Sequence, residues 1–153
     1  MAGGHAPDLP FPDGYSGEYK ARRRECGWAL YEAVGVEKGD RAGSARQMME
    51  NFNLFGAPHC AILSSPKELG SYGAMDCGGF VSAFTIAAQA AGVASIAQAA
   101  VASFAPMLHE MLEIPEDRLI LCAISFGYAD KDHPANGFRT SRAGLEEFAD
   151  WRS

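Results

Sequence analysis

The sequence predicts an α+β fold in which helices surround a small sheet, and three observations carry that reading. LILCAISFGY (119–128) is long and apolar on both faces, the pattern of a strand in the middle of a sheet. Residues 18–34 alternate charged and apolar positions at helical spacing, with Tyr19, Cys26, Leu30 and Val34 on one side. CGGFVSAFTIAAQAA (77–91) is apolar on every face, which predicts a wholly buried helix.

The remaining elements follow in order. Residues 1–16 are rich in Pro, Gly and Asp and read as an irregular arm, ahead of one domain over 17–153. Gly35 ends the first helix. Asp40 is the expected N-cap of a second, running through Met48, Met49 and Phe52 to about Phe55. HCAILSS (59–65), between Pro58 and Pro66, reads as a buried strand. SPKELGSYGAM reads as loop, Asp76 as the cap of the apolar helix and Gly92 as its stop. VASI (93–96) is a short strand, Ser103 caps a helix ending near Leu112, and RAGLEEFADW forms a final helix.

Size and charge narrow the function classes. The 153 residues suffice for one domain with a sizeable core. A net charge of −6 argues against a protein that coats nucleic acid, which needs a broad basic face. The one basic cluster, Arg22–Arg24, is flanked by Glu18 and Glu25 and reads as a solvated helix face. No charged side chain occurs from Cys77 to Leu108, a length that could span a bilayer. Its many Ala, Gly and Ser residues, with Gln89 and Gln98, instead suit chain buried at a tight subunit interface, so no membrane partner is expected. The N-terminus lacks a charged start followed by an apolar run, and the four widely spaced cysteines include no CxxC pair. Both features fit a cytoplasmic protein with reduced thiols.

Candidate chemistry is sparse. His5, His59, His109 and His133 are scattered, and HEMLE (109–113) lacks the second histidine of HExxH, so no metal site is expected and His109 should face solvent. Cys77 at a helix start could have a lowered pKa, but its apolar neighbours favour a packed thiol. No nucleophile motif, P-loop or GxGxxG occurs, and no catalytic residue is assigned. What remains is Arg139 and Arg142 in NGFRTSRAGLEEF (136–148), two cations three residues apart. They either pair with Glu146 or Glu147 at the surface or grip an anion.

Several stretches share an order and spacing. They are ARRRECGWALYEAVGVEKGDR, NFNLFGAPHCAIL, GAMDCGGFVSAFTIAAQAAGVAS, LEIPEDRLILCAISFGYAD and NGFRTSRAGLEEF. Together they make the chain resemble the nitroreductase family of flavin enzymes. The resemblance implies a nitroreductase-like three-layer α/β/α sandwich and a homodimer with FMN at its interface. It also implies hydride transfer from NAD(P)H to an organic acceptor such as a nitroaromatic or quinone. By position, Arg142 would contact the FMN phosphate, with Arg139 as an accessory. Gln98, Ala99 and Ala100 match the segment whose backbone runs along the flavin's pyrimidine edge in relatives. Helix 77–91 would pack in the dimer core. Met48, Met49, Phe52 and Phe55 either line the acceptor pocket or pack in the core.

The resemblance is N-terminally incomplete. The family's Arg-Arg-Ser-x-Arg helix and Gln-Pro-Trp segment have no match here, so roughly the first 70 residues of its pattern lack a counterpart. The expectation is an active flavin reductase for the full family pattern, and FMN binding that is weak or absent for residues 1–153 alone. The alternative is a truncated, non-catalytic α/β module that dimerises or binds a partner.

Overall fold

A computed structural model describes residues 5–152. It contains α1 (Gly17–Ala33), α2 (Arg41–Met49), β1 (His59–Pro66), α3 (Gly70–Ala90), β2 (Ala94–Gln98), α4 (Ala105–Leu112) and β3 (Arg118–Gly127), with short 3-10 turns between them. The chain divides into two compact units, residues 1–14 with Arg41–Ala129 and Tyr15–Asp40 with Asp130–Ser153.

In the first unit the three strands form an antiparallel sheet of order β1-β3-β2. β3 is central, as its apolar residues on both faces require. Ile120, Ala123 and Ile124 on β3 are fully buried. Ala102, Ala105 and Leu108 of α4 and the turn before it pack with Ile120 into the core cluster. α4 opens with Pro106 in its first turn, where a missing N–H costs no hydrogen bond. The expected cap, Ser103, lies instead inside the preceding 3-10 turn, Ala100–Phe104.

α3 departs from expectation twice. It begins at Gly70, so the second half of the stretch read as loop is helical and Asp76 is an interior residue; Ser65 and Pro66 end β1, and Lys67–Leu69 form a 3-10 turn. The reason is tertiary: Gly73 is buried over β1, and a Cβ there would stand 2.8 Å from Leu69 Cβ and clash with Ser65 Oγ. Nor is α3 buried, since Gly73 is its sole buried residue. Tyr72, Met75, Phe80 and Ile86 lie 56–76% exposed. A three-stranded sheet can cover one face of an all-apolar helix and leaves the others bare. The C-terminal stop is as expected. Gly92 takes φ +76°, its N–H reaches Gln89 O and that of Val93 reaches Ala88 O, which satisfies the last carbonyls.

α2 ends at Met49, well short of Phe55. Asn51 Nδ2 donates to Met48 O (3.0 Å) and Asn53 Nδ2 to Glu50 Oε2 (3.2 Å), local bonds that compete with helix continuation. Leu54 and Phe55 then adopt positive φ. Met48, Met49, Phe52 and Phe55 are exposed, and Phe52 packs edge-on against Phe104. Residues 5–14 have no regular structure, yet Ala6 N donates to Ser103 O (2.8 Å) and Asp8 binds α4 and β3.

The second unit holds α1, which ends as the sequence predicts. Gly35 at φ +74° bonds Glu32 O, and Val36 N bonds Tyr31 O. Arg23 stands over the Tyr15 ring and Lys38 over Trp28. The expected final helix is reduced to one 3-10 turn, Leu145–Glu147. Among the described residues no helix is long and apolar enough to cross a membrane.

Candidate functional site

Arg139 and Arg142 share one cleft in the second unit, of about 600 Å³, that also takes in Arg22 and three carboxylates, Glu18, Glu25 and Glu147. The arginines sit on a segment without regular structure, where side chains can be held by nearby backbone carbonyls. Arg139 Nη1 donates to Asn136 O (2.8 Å) and Phe138 O (2.7 Å). Arg142 Nη1 donates to Thr140 Oγ1 (2.5 Å), Thr140 O (3.2 Å) and Ser141 O (2.9 Å). All of these bonds leave from Nη1, so the rest of each guanidinium fork has no partner among the described residues. Among the described residues neither arginine pairs with Glu146 or Glu147.

Glu147 pairs with Arg22 instead, a residue that its sequence neighbours mark as part of a solvated face. Arg22 Nη2 donates to Glu18 Oε1 (2.5 Å), one helical turn away, and to Glu147 Oε2 (2.7 Å), 125 residues away. Glu147 Oε1 accepts from Gly144 N (2.9 Å). That backbone bond, then the Arg22 charge, holds the Glu147 carboxyl below its ordinary range; the Glu18 hydrogen bond and charge push Arg22 above its own. Ser141 Oγ donates to Glu25 Oε1 (3.0 Å) across the same cleft. No local pattern in the sequence links Arg22 to residue 147; the i,i+4 spacing of Glu18 and Arg22 was the one legible part.

The donor set fits a phosphate in kind. Planar guanidinium forks with unengaged N–H groups suit phosphate oxygens, and the volume matches a small-ligand site.

Gln98, Ala99 and Ala100 lie in the first unit, at the end of β2. Gln98 is 3% exposed, and both polar atoms of its side chain are engaged. Its Nε2 donates to Asn51 O (2.8 Å), and its Oε1 accepts from the Ser125 hydroxyl through a short hydrogen bond. A side chain so committed is a strut, and what this segment can offer a ligand is backbone. Ala99 is exposed, and the amides of Ala99 and Ala100 reach no acceptor among the described residues.

Two expectations are corrected here. His109 does not face solvent: its side chain is 15% exposed, with Nδ1 2.8 Å from Ile114 O and Nε2 2.8 Å from Asp8 Oδ2. Cys77 is well inside α3, not at its start. Burial, then the neighbouring Cys77, pushes the Cys122 thiol up. All four cysteines are free. Among the described residues no group of three or more His, Cys, Asp and Glu is placed to hold a metal.

The chain is similar to known proteins in both sequence and fold. The nitroreductase family profile matches residues 18–128. Nitroreductase NfnB of Mycolicibacterium smegmatis is 35% identical over 141 residues, 92% of this chain and 60% of the relative. A 4-nitrobenzoate reductase of Nocardioides sp. is 33% identical over 90% of this chain and 56% of its own length. The chain thus spans somewhat over half the length of these curated relatives. Among solved structures, the FMN-dependent nitroreductase NfnB from Mycobacterium smegmatis in complex with NADPH superposes with a TM-score of 0.90 at 33% identity, over 97% of this chain and 67% of that one. The FMN and NADPH-dependent NfnB from sphigopyxis sp. strain HMH superposes with a TM-score of 0.92 at 28% identity, with the same coverage. On the family match and these relatives, the chain belongs to the nitroreductase family, with its α+β fold.

Proposed function

We propose that this chain serves an FMN-dependent oxidoreductase that passes hydride from NAD(P)H to an organic acceptor such as a nitroaromatic or quinone. The observation that carries the reading is the superposition, over 97% of the chain, on an FMN-dependent nitroreductase crystallised with NADPH. Bound FMN would supply the redox chemistry, leaving the protein to hold the ring and grip the phosphate.

In this reading Arg142 is the phosphate contact and Arg139 its accessory, both presenting unengaged N–H groups to one cleft. The backbone N–H groups of Ala99 and Ala100 would serve the pyrimidine edge of the flavin, where they would stabilise negative charge on the reduced ring. Gln98 holds that backbone in place through Asn51 and Ser125. The bare apolar face of α3 packs against a second copy, since so large an exposed apolar surface marks an interface. The exposed Met48, Met49, Phe52 and Phe55 belong to the acceptor pocket. One domain over 17–153 and a cytoplasmic location complete the proposal.

The test is NADPH oxidation by the purified protein with FMN in excess and 4-nitrobenzoate as acceptor. Acceptor-dependent oxidation lost on omitting FMN is expected; oxidation indifferent to FMN would overturn the reading.

A further inference from the structure

The cleft of the second unit holds three guanidiniums and three carboxylates, so its formal charge is 3 − 3 = 0. A phosphate monoester entering with all three carboxylates in place would leave the cleft strongly negative, and such like-charge crowding is unfavourable. The three carboxylates are held differently. Glu18 is on α1, one turn from Arg22, and Glu25 accepts from Ser141. Glu147 rides on a one-turn segment, and its two oxygens take one guanidinium N–H and one backbone N–H. Those are the two donor types that bind phosphate oxygens. Its carboxylate therefore occupies the position of an internal oxyanion. It is also 43% exposed, so it can swing into water with little loss, as exposed pairs are weakly held.

We propose that the cleft is a three-guanidinium phosphate-monoester site, and that Glu147 is an internal counter-anion which the incoming phosphate displaces from Arg22. The proposal deepens the FMN reading and rests on it for the identity of the monoester. Arg22 becomes the third phosphate contact beside Arg139 and Arg142, and Gly144 N becomes available once Glu147 leaves. The consequence is that affinity for phosphate monoesters is set by competition with the chain's own carboxylate.

The experiment is titration of the full chain with FMN, read by flavin fluorescence anisotropy, with inorganic phosphate as competitor and riboflavin as the phosphate-free control. Glu147→Gln removes the competing charge and should tighten FMN and phosphate binding several-fold, while Arg22→Gln should weaken both by on the order of tenfold. Riboflavin binding should be unchanged by either. All three positions are exposed, and circular dichroism confirms that the variants fold. If Arg142→Gln weakens FMN binding while Glu147→Gln and Arg22→Gln do not alter it, the displacement is wrong and the Arg142 reading stands. If neither the unmodified chain nor Glu147→Gln binds FMN or phosphate, both are wrong.

Discussion

Asp8 Oδ2 accepts two hydrogen bonds at once, from His109 Nε2 and from Ile120 N, each at 2.8 Å. His109 Nδ1 meets Ile114 O at the same distance. Both ring nitrogens thus face acceptors, an arrangement that only the doubly protonated imidazolium satisfies as a donor at both ends. Through Asp8 this clasp ties the irregular N-terminal arm to His109 and to the core residue Ile120.

The His109 pKa is raised, first by the Ile114 carbonyl and then by Asp8, with burial and Lys67 opposing. A group whose folded pKa lies above its unfolded value stabilises fully below the unfolded value, here the ordinary histidine range. That contribution is lost as pH rises through the folded value. Thermal midpoints should therefore fall as pH rises above about 6.5, and His109→Gln should flatten the slope. An NMR titration showing His109 at or below the free histidine value would contradict this.

Asp8→Ala removes the acceptor of a partly buried backbone amide as well as the histidine's partner. Leaving such a donor unsatisfied costs about 1–3 kcal/mol, measurable by urea denaturation. Hydrogen exchange at Ile120 N should accelerate in the same variant; unchanged protection would show that the amide finds another acceptor.

Gly73 lets α3 lie directly on β1 at Ser65. Gly73→Ala should destabilise by about 1–3 kcal/mol despite alanine's better helix propensity, because the clash outweighs it. A more stable Gly73→Ala variant would mean that α3 can shift away from the sheet freely.

Ser125→Ala leaves Gln98 Oε1 buried without its donor and should cost about 1–3 kcal/mol. Since Gln98 also holds Asn51 O, exchange or proteolysis in the segment after α2 should increase too. Loss of stability with no change there would show that Gln98 keeps that segment fixed by its other bond alone.

Local signals were legible where the physics is local. The glycines at 35 and 92 stop α1 and α3 because they alone adopt positive φ there without strain. The apolar run 119–128 marks the central strand because only a strand with neighbours on both sides buries both faces. The same reasoning misplaced Asp76, whose N-cap chemistry is overridden once Gly73 lets the helix start earlier against Ser65. It also drew a helix through RAGLEEFADW, where the Glu147 side chain turns back to Gly144 N and across to Arg22, and a single turn remains.

The sequence by itself determined the family, the class of fold, most of the elements and the arginine pair, because periodicity, turn residues and motif order are written along the chain. Only the tertiary structure decided the partners. His109 meets Asp8 across 101 residues, Arg22 meets Glu147 across 125, and Gln98 reaches Asn51 and Ser125. Hydrogen bonds and ion pairs act over a few ångströms in space, and the distance between two residues in sequence does not reveal that separation until the chain has folded.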